Sequence, residues 1–353
     1  MTHGLATNRD TANLVVRLTD RDGVVGFGEG VPRSYVTGES LEGSQEFLTR
    51  RAPGLLLGRA IDSRRVMDFC REVIDDESAA RHPAAVCALE TALLDLAGRR
   101  RGLPCSALLA PGRGEPAGEV IYSVVVPIID QPEAREAVLE AIAAAGFRQV
   151  KVKLGFAGDM EHLAWVRRRL GPEVDIRVDV NGAWSREQAL GNLEQLALLG
   201  VSVLEQPVDP RDAEAWEAIA GAGDLRLMAD ESLCSLADAR RLIAQGAVGA
   251  FNLKLSKLAG FGRCREIMEM AHAHGLAVQL GCQVGELGIL SAAGRHFAAA
   301  AGGLLYLEGS LTRFFTRDII AQDLTPGAGG RAPVLAGPGL GIDVDQSQLS
   351  AGG

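Results

Sequence analysis

The sequence lacks any apolar run approaching the roughly 20 residues a membrane span needs. Its start, MTHGLATNRD, has no apolar stretch of the kind a secretory signal carries. There is no CxxC pair. Cys70, Cys87, Cys105, Cys234, Cys264 and Cys282 are scattered through apolar or helical contexts, which favours reduced thiols in a cytoplasm over disulfides. Nor is there a basic excess: 45 acidic residues outnumber 36 basic ones, and the net charge is -9. That balance argues against nucleic acid and anionic membranes as partners, and suits an acidic site holding a cation. The glycines of Gly337-Pro-Gly-Leu-Gly341 do not make the G-x-G-x-x-G of a dinucleotide site and read as loop punctuation.

What is present is an ordinary globular composition, 47% hydrophobic and 23% charged, over 353 residues. That is enough chain for two domains and a large core. Residues 13–30 read as a hairpin: Asn13–Leu18, a turn at Asp20–Gly23, and Val24–Gly28. A loop over Glu29–Gly38 follows, then helical patterns at 39–51, 61–75 and 82–100. From about residue 118 short apolar runs alternate with helical segments. The candidate strands are Val120–Val126, Gln149–Leu154, Asp175–Val180, Ser202–Gln206, Leu225–Ala229, Ala250–Leu255, Ala277–Leu280 and Leu304–Leu307. Repeated units of this kind predict a parallel sheet with helices outside, closed as a barrel, with an open doubly wound sheet as the alternative.

The stretch Gln149–Gly155 puts Lys151 and Lys153 on one face of a strand. Taken alone, two like charges there read as a solvated face. The strand ends downstream change that. Asp179, Glu205 and Asp230 each close a strand, and Lys254 lies in the sixth. Residues 153, 179, 205, 230 and 254 are separated by 26, 26, 25 and 24 positions. One acid at a strand end is often the cap of the next helix. Three at one period point instead to a common height, the C-terminal rim of a barrel. Three converging carboxylates repel unless a cation neutralises them. An all-oxygen set without His or Cys suits Mg²⁺, with Mn²⁺ a possible substitute, and argues against zinc. Lysines beside such an ion are expected to have lowered pKa values and to act as bases near neutral pH. The chemistry this permits is removal of a proton alpha to a carboxylate.

The motifs KVK (151–153), DVN (179–181), LEQP (204–207), ADES (229–232) and NLKLSK (252–257), with the helix AAVCALETALLDLAGRRRGLP (84–104), resemble the enolase superfamily. The nearest pattern is its muconate lactonizing enzyme subgroup. The resemblance implies a modified TIM-type (β/α)7β barrel of α/β class with an α+β capping domain. Residues 1–115 would form the cap, 116–320 the barrel, and 321–353 a segment returning to the cap. It implies Asp179, Glu205 and Asp230 as metal ligands, Lys153 and Lys254 as the acid/base pair, and Lys151, Asn181 and Glu231 as their support. Tyr35 and Thr37, in a loop over the barrel mouth, and Cys282, Gln283, Glu286 and Glu308 would line the substrate. The lysine at 254, with no His–Asp pair in its role, favours this subgroup over the mandelate racemase branch.

The chain departs from the pattern in three places. It starts almost at the loop that should follow a first strand. Its seventh strand ends Leu280-Gly-Cys-Gln-Val-Gly-Glu286 rather than in Gly-Ser/Thr-Met-x-Glu. Its eighth ends Tyr306-Leu-Glu-Gly-Ser310, where dipeptide epimerases carry Asp-x-Asp to hold a substrate ammonium. The expected function is epimerisation or racemisation of an amino-acid or dipeptide derivative, because Glu286 and Glu308 add negative charge suited to an ammonium. Muconate-type cycloisomerisation and a succinylbenzoate synthase-like lyase are the alternatives, and a catalytically silent binding barrel is the alternative of another class. The expected partners are a small carboxylate substrate and further copies of the chain in a homo-oligomer, with neither nucleic acid nor membrane.

Overall fold

A computed structural model describes residues 2–3, 6–7, 12–74, 76–110, 116–310 and 318–349. Two short strands, β1 (Thr2–His3) and β2 (Ala6–Thr7), pair antiparallel. They precede the hairpin of β3 (Leu14–Thr19) and β4 (Val25–Gly30). The turn between β3 and β4 forms because the Asp20 carboxylate accepts from the Asp22 and Val24 amides, both at 2.9 Å. Glu29 and Gly30, expected in a loop, extend β4. Ser34–Thr37 is a single helical turn, α1.

The patterns at 39–51 and 61–75 resolve into several pieces. Helix α2 (Leu41–Glu46) continues through a wider turn over Phe47–Arg51 into α3 (Ala52–Leu56). Then come α4 (Val66–Val73) and α5 (Asp76–Arg81). The long helix α6 (Pro83–Arg101) starts on a proline and ends on Gly102 at φ 64°. It packs on the hairpin through a run of small residues. Cβ atoms added at Gly26, Gly28 and Gly30 would stand 2.3, 1.8 and 2.1 Å from the carbonyl oxygens of Ala92, Ala88 and Ala84. The Gly-x-Gly-x-Gly of β4 and the i, i+4, i+8 alanines of α6 therefore bring two backbones into contact. Helix α7 (Cys105–Leu109) follows.

The barrel is a parallel sheet of seven strands in sequence order. Before it comes β5 (Glu119–Ile121); the sheet begins with β6 (Val124–Val126) and continues with β7 (Gln149–Lys153), β8 (Asp175–Asp179), β9 (Val201–Glu205), β10 (Arg226–Ala229), β11 (Ala250–Leu253) and β12 (Ala277–Leu280). The single strand expected over Val120–Val126 is thus two. β5 pairs antiparallel with β13 (Arg331–Pro333) in the C-terminal segment. The chain breaks at Tyr122-Ser123, where the Tyr122 amide donates to Gly330 O and that of Ser123 to Leu307 O. The eighth strand expected at Leu304–Leu307 is a single bridge between Leu307 and Leu280. It still closes the barrel. Leu305 and Glu308 amides donate to β12 carbonyls, and Leu307 O accepts from the Ser123 amide at 2.8 Å. Outside lie α8 (Pro132–Ala144), α9 (Asp159–Leu170), α10 (Arg186–Leu198), α11 (Ala213–Gly221), α12 (Leu236–Gln245), α13 (Phe261–Ala273) and α14 (Gly288–Ala301). Ser185, Asp212 and Ser235 cap α10, α11 and α12 with their side chains. None of the described helices is long and apolar enough to cross a membrane.

The C-terminal segment lies on α6. The Asp95 carboxylate accepts from the Leu340 amide at 2.8 Å, Arg99 donates to Ile342 O, and the Cys105 amide donates to Gly339 O.

Candidate active site

Inside the barrel Val203, Met228, Ala250 and Tyr306 pack as an apolar cluster separate from the main core. Two residues further along the same strand faces stand Glu205, Asp230, Asn252 and Glu308. The cluster is therefore the floor, and the polar residues lie toward the strands' C-terminal ends. Register sets Lys153 beside Asp179 and Asp179 beside Glu205. Asp230 and Lys254 come one residue past β10 and β11, so Lys254 sits just beyond the sixth barrel strand and not within it. The backbone turns sharply here: Asn181 and Gln206 have φ of 49° and 41°.

Lys151 is buried among acids. Its Nζ lies 2.8 Å from Asp179 Oδ2, 2.9 Å from Glu205 Oε1 and 3.3 Å from Glu308 Oε1. Lys153 Nζ donates to Asp179 Oδ2 and to Asn181 Oδ1, both at 2.7 Å. Lys254 Nζ donates to Asp230 Oδ2 at 2.6 Å. Asn181 Nδ2 donates to Glu231 Oε1 at 2.9 Å, which links the DVN and ADES rims. The structure thus brings together Lys151, Lys153, Asp179, Asn181, Glu205, Asp230, Glu231, Lys254 and Glu308. Glu308 is held by Arg177, which is wholly buried on β8.

Burial alone would raise Asp179 and Asp230 and lower Lys151 and Lys254. The opposite charges win. Lys151 and Lys153 hold Asp179 well below the usual carboxylate range, and Lys254 and Lys257 do the same to Asp230. Lys151 and Lys254 are pushed up by the acids around them. Asp230 beside Lys254 holds its proton on, whereas the lowering expected from the sequence is that of a lysine beside a bound cation. Glu205, with burial as its largest influence, rises to about 7.

The fit to a divalent cation rests on donor chemistry. The three carboxylates are buried, all-oxygen and oriented across one mouth, and Glu205 Oε2 is buried with no hydrogen-bond partner. No three His, Cys, Asp or Glu side chains among the described residues close around a single point. Lysine ammonium groups hold Asp179 and Asp230 instead. An anionic oxygen donor set with one uncommitted oxygen suits a hard ion of the Mg²⁺ type.

Residues missed in the sequence complete the site. Lys257, fully buried, donates to Asp230 Oδ1 (2.8 Å), Asp230 O (2.6 Å) and Asn252 O (3.0 Å). Asn252 Nδ2 donates to Glu205 Oε1 at 2.7 Å. The Gln206 side chain stitches two rims, donating to Ser232 Oγ and Val208 O and accepting from the Asp230 and Ser232 amides. Strand alternation could have found Arg177 and Asn252, each two positions from an assigned residue.

The remaining sites are more dispersed. Thr37 Oγ1 bonds within its own turn, to Arg33 O and from the Glu39 amide. Tyr35 shares that turn, which touches the rim where Cys234 Sγ meets Val36 O. Glu286 turns back on its own loop to accept from the Gln283 amide at 2.7 Å. Cys282 is half-buried, and burial pushes its thiol up with Glu286 and Glu308 adding to the effect. That disfavours the thiolate a nucleophile would need.

Residues 133–348 match the model described as "Enolase C-terminal domain-like", and residues 2–110 match "Mandelate racemase / muconate lactonizing enzyme, N-terminal domain". The chain belongs to the mandelate racemase/muconate lactonizing enzyme family. Its relatives in this family are epimerases, racemases and cycloisomerases, and it is accordingly a metal-dependent isomerase rather than a silent barrel. It is 36% identical to a hydrophobic dipeptide epimerase of Citrifermentans bemidjiense, covering 94% of this chain and 90% of the relative. The structure of an N-succinyl Arg/Lys racemase from Bacillus cereus superposes with a TM-score of 0.85 at 28% identity, covering 96% of this chain and 89% of that one. A dipeptide epimerase from Enterococcus faecalis, complexed with Mg and L-Leu-L-Tyr, gives 0.87 at 27% identity, covering 97% and 94%.

Proposed function

We propose that the protein is a Mg²⁺-dependent epimerase or racemase that inverts the carbon alpha to the carboxylate of an amino-acid or dipeptide derivative, using Lys153 and Lys254. One observation carries the reading. The two ammonium groups stand on either side of the acid-bearing strands β8, β9 and β10, each bonded to a different carboxylate. Asp179, Glu205 and Asp230 would hold the cation, with Mn²⁺ a possible substitute. A divalent ion bound there supplies positive charge that binds the substrate carboxylate and offsets the charge released when the alpha proton leaves.

The chain's own residues do the rest. One lysine, neutral, takes the alpha proton from its face, and the C–H electron pair passes into the carboxylate. The other, as ammonium, returns a proton to the opposite face, and the configuration inverts. Asp230 beside Lys254 favours the ammonium form in which it returns a proton, and inversion in the opposite direction uses the same lysine neutral. Lys151 stays charged among three acids and steadies the substrate carboxylate. Asn181 fixes the position of Lys153 and ties it to Glu231. The names of the relatives, dipeptide epimerases and N-succinyl amino-acid racemases, support the same substrate chemistry.

The test is alpha-proton exchange in deuterated water, followed by NMR over a panel of dipeptides, N-acyl amino acids and diacids. Exchange is expected for some member of the first two groups and should stop when a chelator removes the metal. No exchange from any acid, or exchange indifferent to chelator, would sink the reading.

A further inference from the structure

Each acid at the barrel mouth has one oxygen tied down by the fold. Asp179 Oδ1 accepts from the Asn181 amide at 3.0 Å. Glu205 Oε1 accepts from Lys151 Nζ at 2.9 Å and from Asn252 Nδ2 at 2.7 Å. Asp230 Oδ1 accepts from Lys257 Nζ at 2.8 Å. The second oxygens differ. Asp179 Oδ2 faces Lys151, Lys153 and Asn181 Nδ2, Asp230 Oδ2 faces Lys254, and Glu205 Oε2 is buried with no partner.

Lys257 is the tie to which the proposed reaction gives no part. Strand β11 ends at Leu253 and the chain turns at once. The Leu258 amide donates to Lys254 O, and Ala259 and Gly260 leave the turn with φ of 59° and 98°. A single helical turn sets residues three apart on one side, so Lys254 and Lys257 both reach Asp230. They reach it differently. The Lys254 side chain is 12% exposed and opens on the mouth, whereas that of Lys257 is 0% exposed. An ammonium has three donors, and Lys257 spends all of them, on Asp230 Oδ1, Asp230 O and Asn252 O. Withdrawing it would leave a buried charge unpaired, which is strongly disfavoured. The Asn252 that it holds by the carbonyl is the residue whose side chain ties Glu205. One buried cation therefore orients two of the three acids.

A carboxylate held by one oxygen can offer a cation only the other. Ca²⁺ takes more oxygens at longer distances and often both oxygens of one carboxylate, while Mg²⁺ demands a near-ideal octahedron and keeps several waters. We propose that Lys257 is a positioning residue for the cation: it confines Asp230 to one ligating oxygen and so makes the site select a small octahedral ion over Ca²⁺. This rests on the placement of the cation at Asp179, Glu205 and Asp230 proposed above.

The test is displacement of Mn²⁺ from the full chain by Mg²⁺ and by Ca²⁺, followed by electron paramagnetic resonance. In the wild type Mg²⁺ should displace Mn²⁺ at a lower concentration than Ca²⁺. Ca²⁺ acting at an equal or lower concentration overturns the inference without any variant. In Lys257→Met the ratio of the Ca²⁺ to the Mg²⁺ dissociation constant should fall at least about 10-fold, the lower end of what a supporting residue of a metal site commands. The lost charge acts on both ions alike and cancels in the ratio, so a ratio left unchanged overturns the inference. Lys257→Gln keeps an N–H for Asp230 Oδ1 without the charge and covers a failure of the methionine variant to fold. Its ratio should stay close to that of the wild type, and a fall as large as about 10-fold would assign the effect to charge and overturn the one-oxygen tie. Asp230→Asn separates the two readings. If it leaves Mn²⁺ affinity untouched, the cation lies elsewhere and both readings fall. If it weakens Mn²⁺ while Lys257→Met keeps the wild-type ratio, only the role of Lys257 falls.

Discussion

The protein buries two sets of carboxylates and treats them oppositely. At the barrel mouth Asp179 and Asp230 face lysines. On the capping side the partners are mostly backbone amides. Glu39 accepts from Ala84 and Ala85 at the start of α6, Glu90 from Phe261 and Gly262 at the start of α13, and Glu29 from Leu287 and Leu290 at the start of α14. Asp95 accepts from the Phe27 and Leu340 amides. An amide is a fixed dipole with no proton to give, and a helix N-terminus is a standing positive field. A carboxylate satisfied this way fastens one element to another. Facing an ammonium, the same group sits in a pair that can pass protons or trade its cation. The capping carboxylates hold the structure together, and the mouth carboxylates are arranged for chemistry.

The comparison is broken most severely by changing one acid of each set. Asp230→Asn should weaken Mn²⁺ binding, read by electron paramagnetic resonance, by more than about 100-fold, since even supporting residues of metal sites cost 10–100-fold. Glu90→Gln should leave metal affinity within about two-fold. If both fall together, the two sets do not divide as described. Next in size is the close approach of β4 and α6. Gly28→Ala puts a methyl 1.8 Å from Ala88 O. It should cost about 3 kcal/mol or more in chemical denaturation, and a neutral result would mean that the hairpin docks otherwise.

Smaller effects sharpen the contrast. Glu90→Ala leaves the Phe261 and Gly262 amides without their acceptor and should cost about 2 kcal/mol, with kcat of the folded enzyme unchanged. The last is a pH slope. Burial raises both Glu29 and Glu90 from 4.5 to about 7. Their contribution is full below the unfolded pKa and is lost as pH rises through 7, so stability should fall as pH rises from about 4.5 to 7. Asp179 and Asp230, depressed instead, contribute above their unfolded value and lose it only in strong acid. Glu90→Gln should flatten the slope above pH 4.5. A slope that it leaves untouched assigns the titration elsewhere.

Legibility in the sequence followed the physics of each feature. The hairpin of β3 and β4 was readable from its Asp-rich turn, and the barrel from the alternation of short apolar runs with helical segments. The mouth acids were readable because strand length and helix length repeat, which spaces the strand ends evenly. Lys257 was not, since it lies past the strand in an irregular turn where no periodicity assigns a side. The eighth strand was overread because an apolar run does not reveal whether a ladder forms. The direction of the Lys254 shift and the pairing of Glu308 with Arg177 depend on partners 24 to 131 residues away. No local pattern carries that information.

The central claim is that Lys153 and Lys254 work on opposite faces of one carbon. Enantiomerically pure L and D forms of an accepted substrate are incubated separately in deuterated water with Lys153→Ala and with Lys254→Ala. Each variant should exchange one enantiomer and lose the other by roughly 10²–10⁴-fold, the range of a positioned acid or base. The two variants should show mirror-image preferences. Loss of the same enantiomer in both, or exchange of both enantiomers in either variant, would contradict the account.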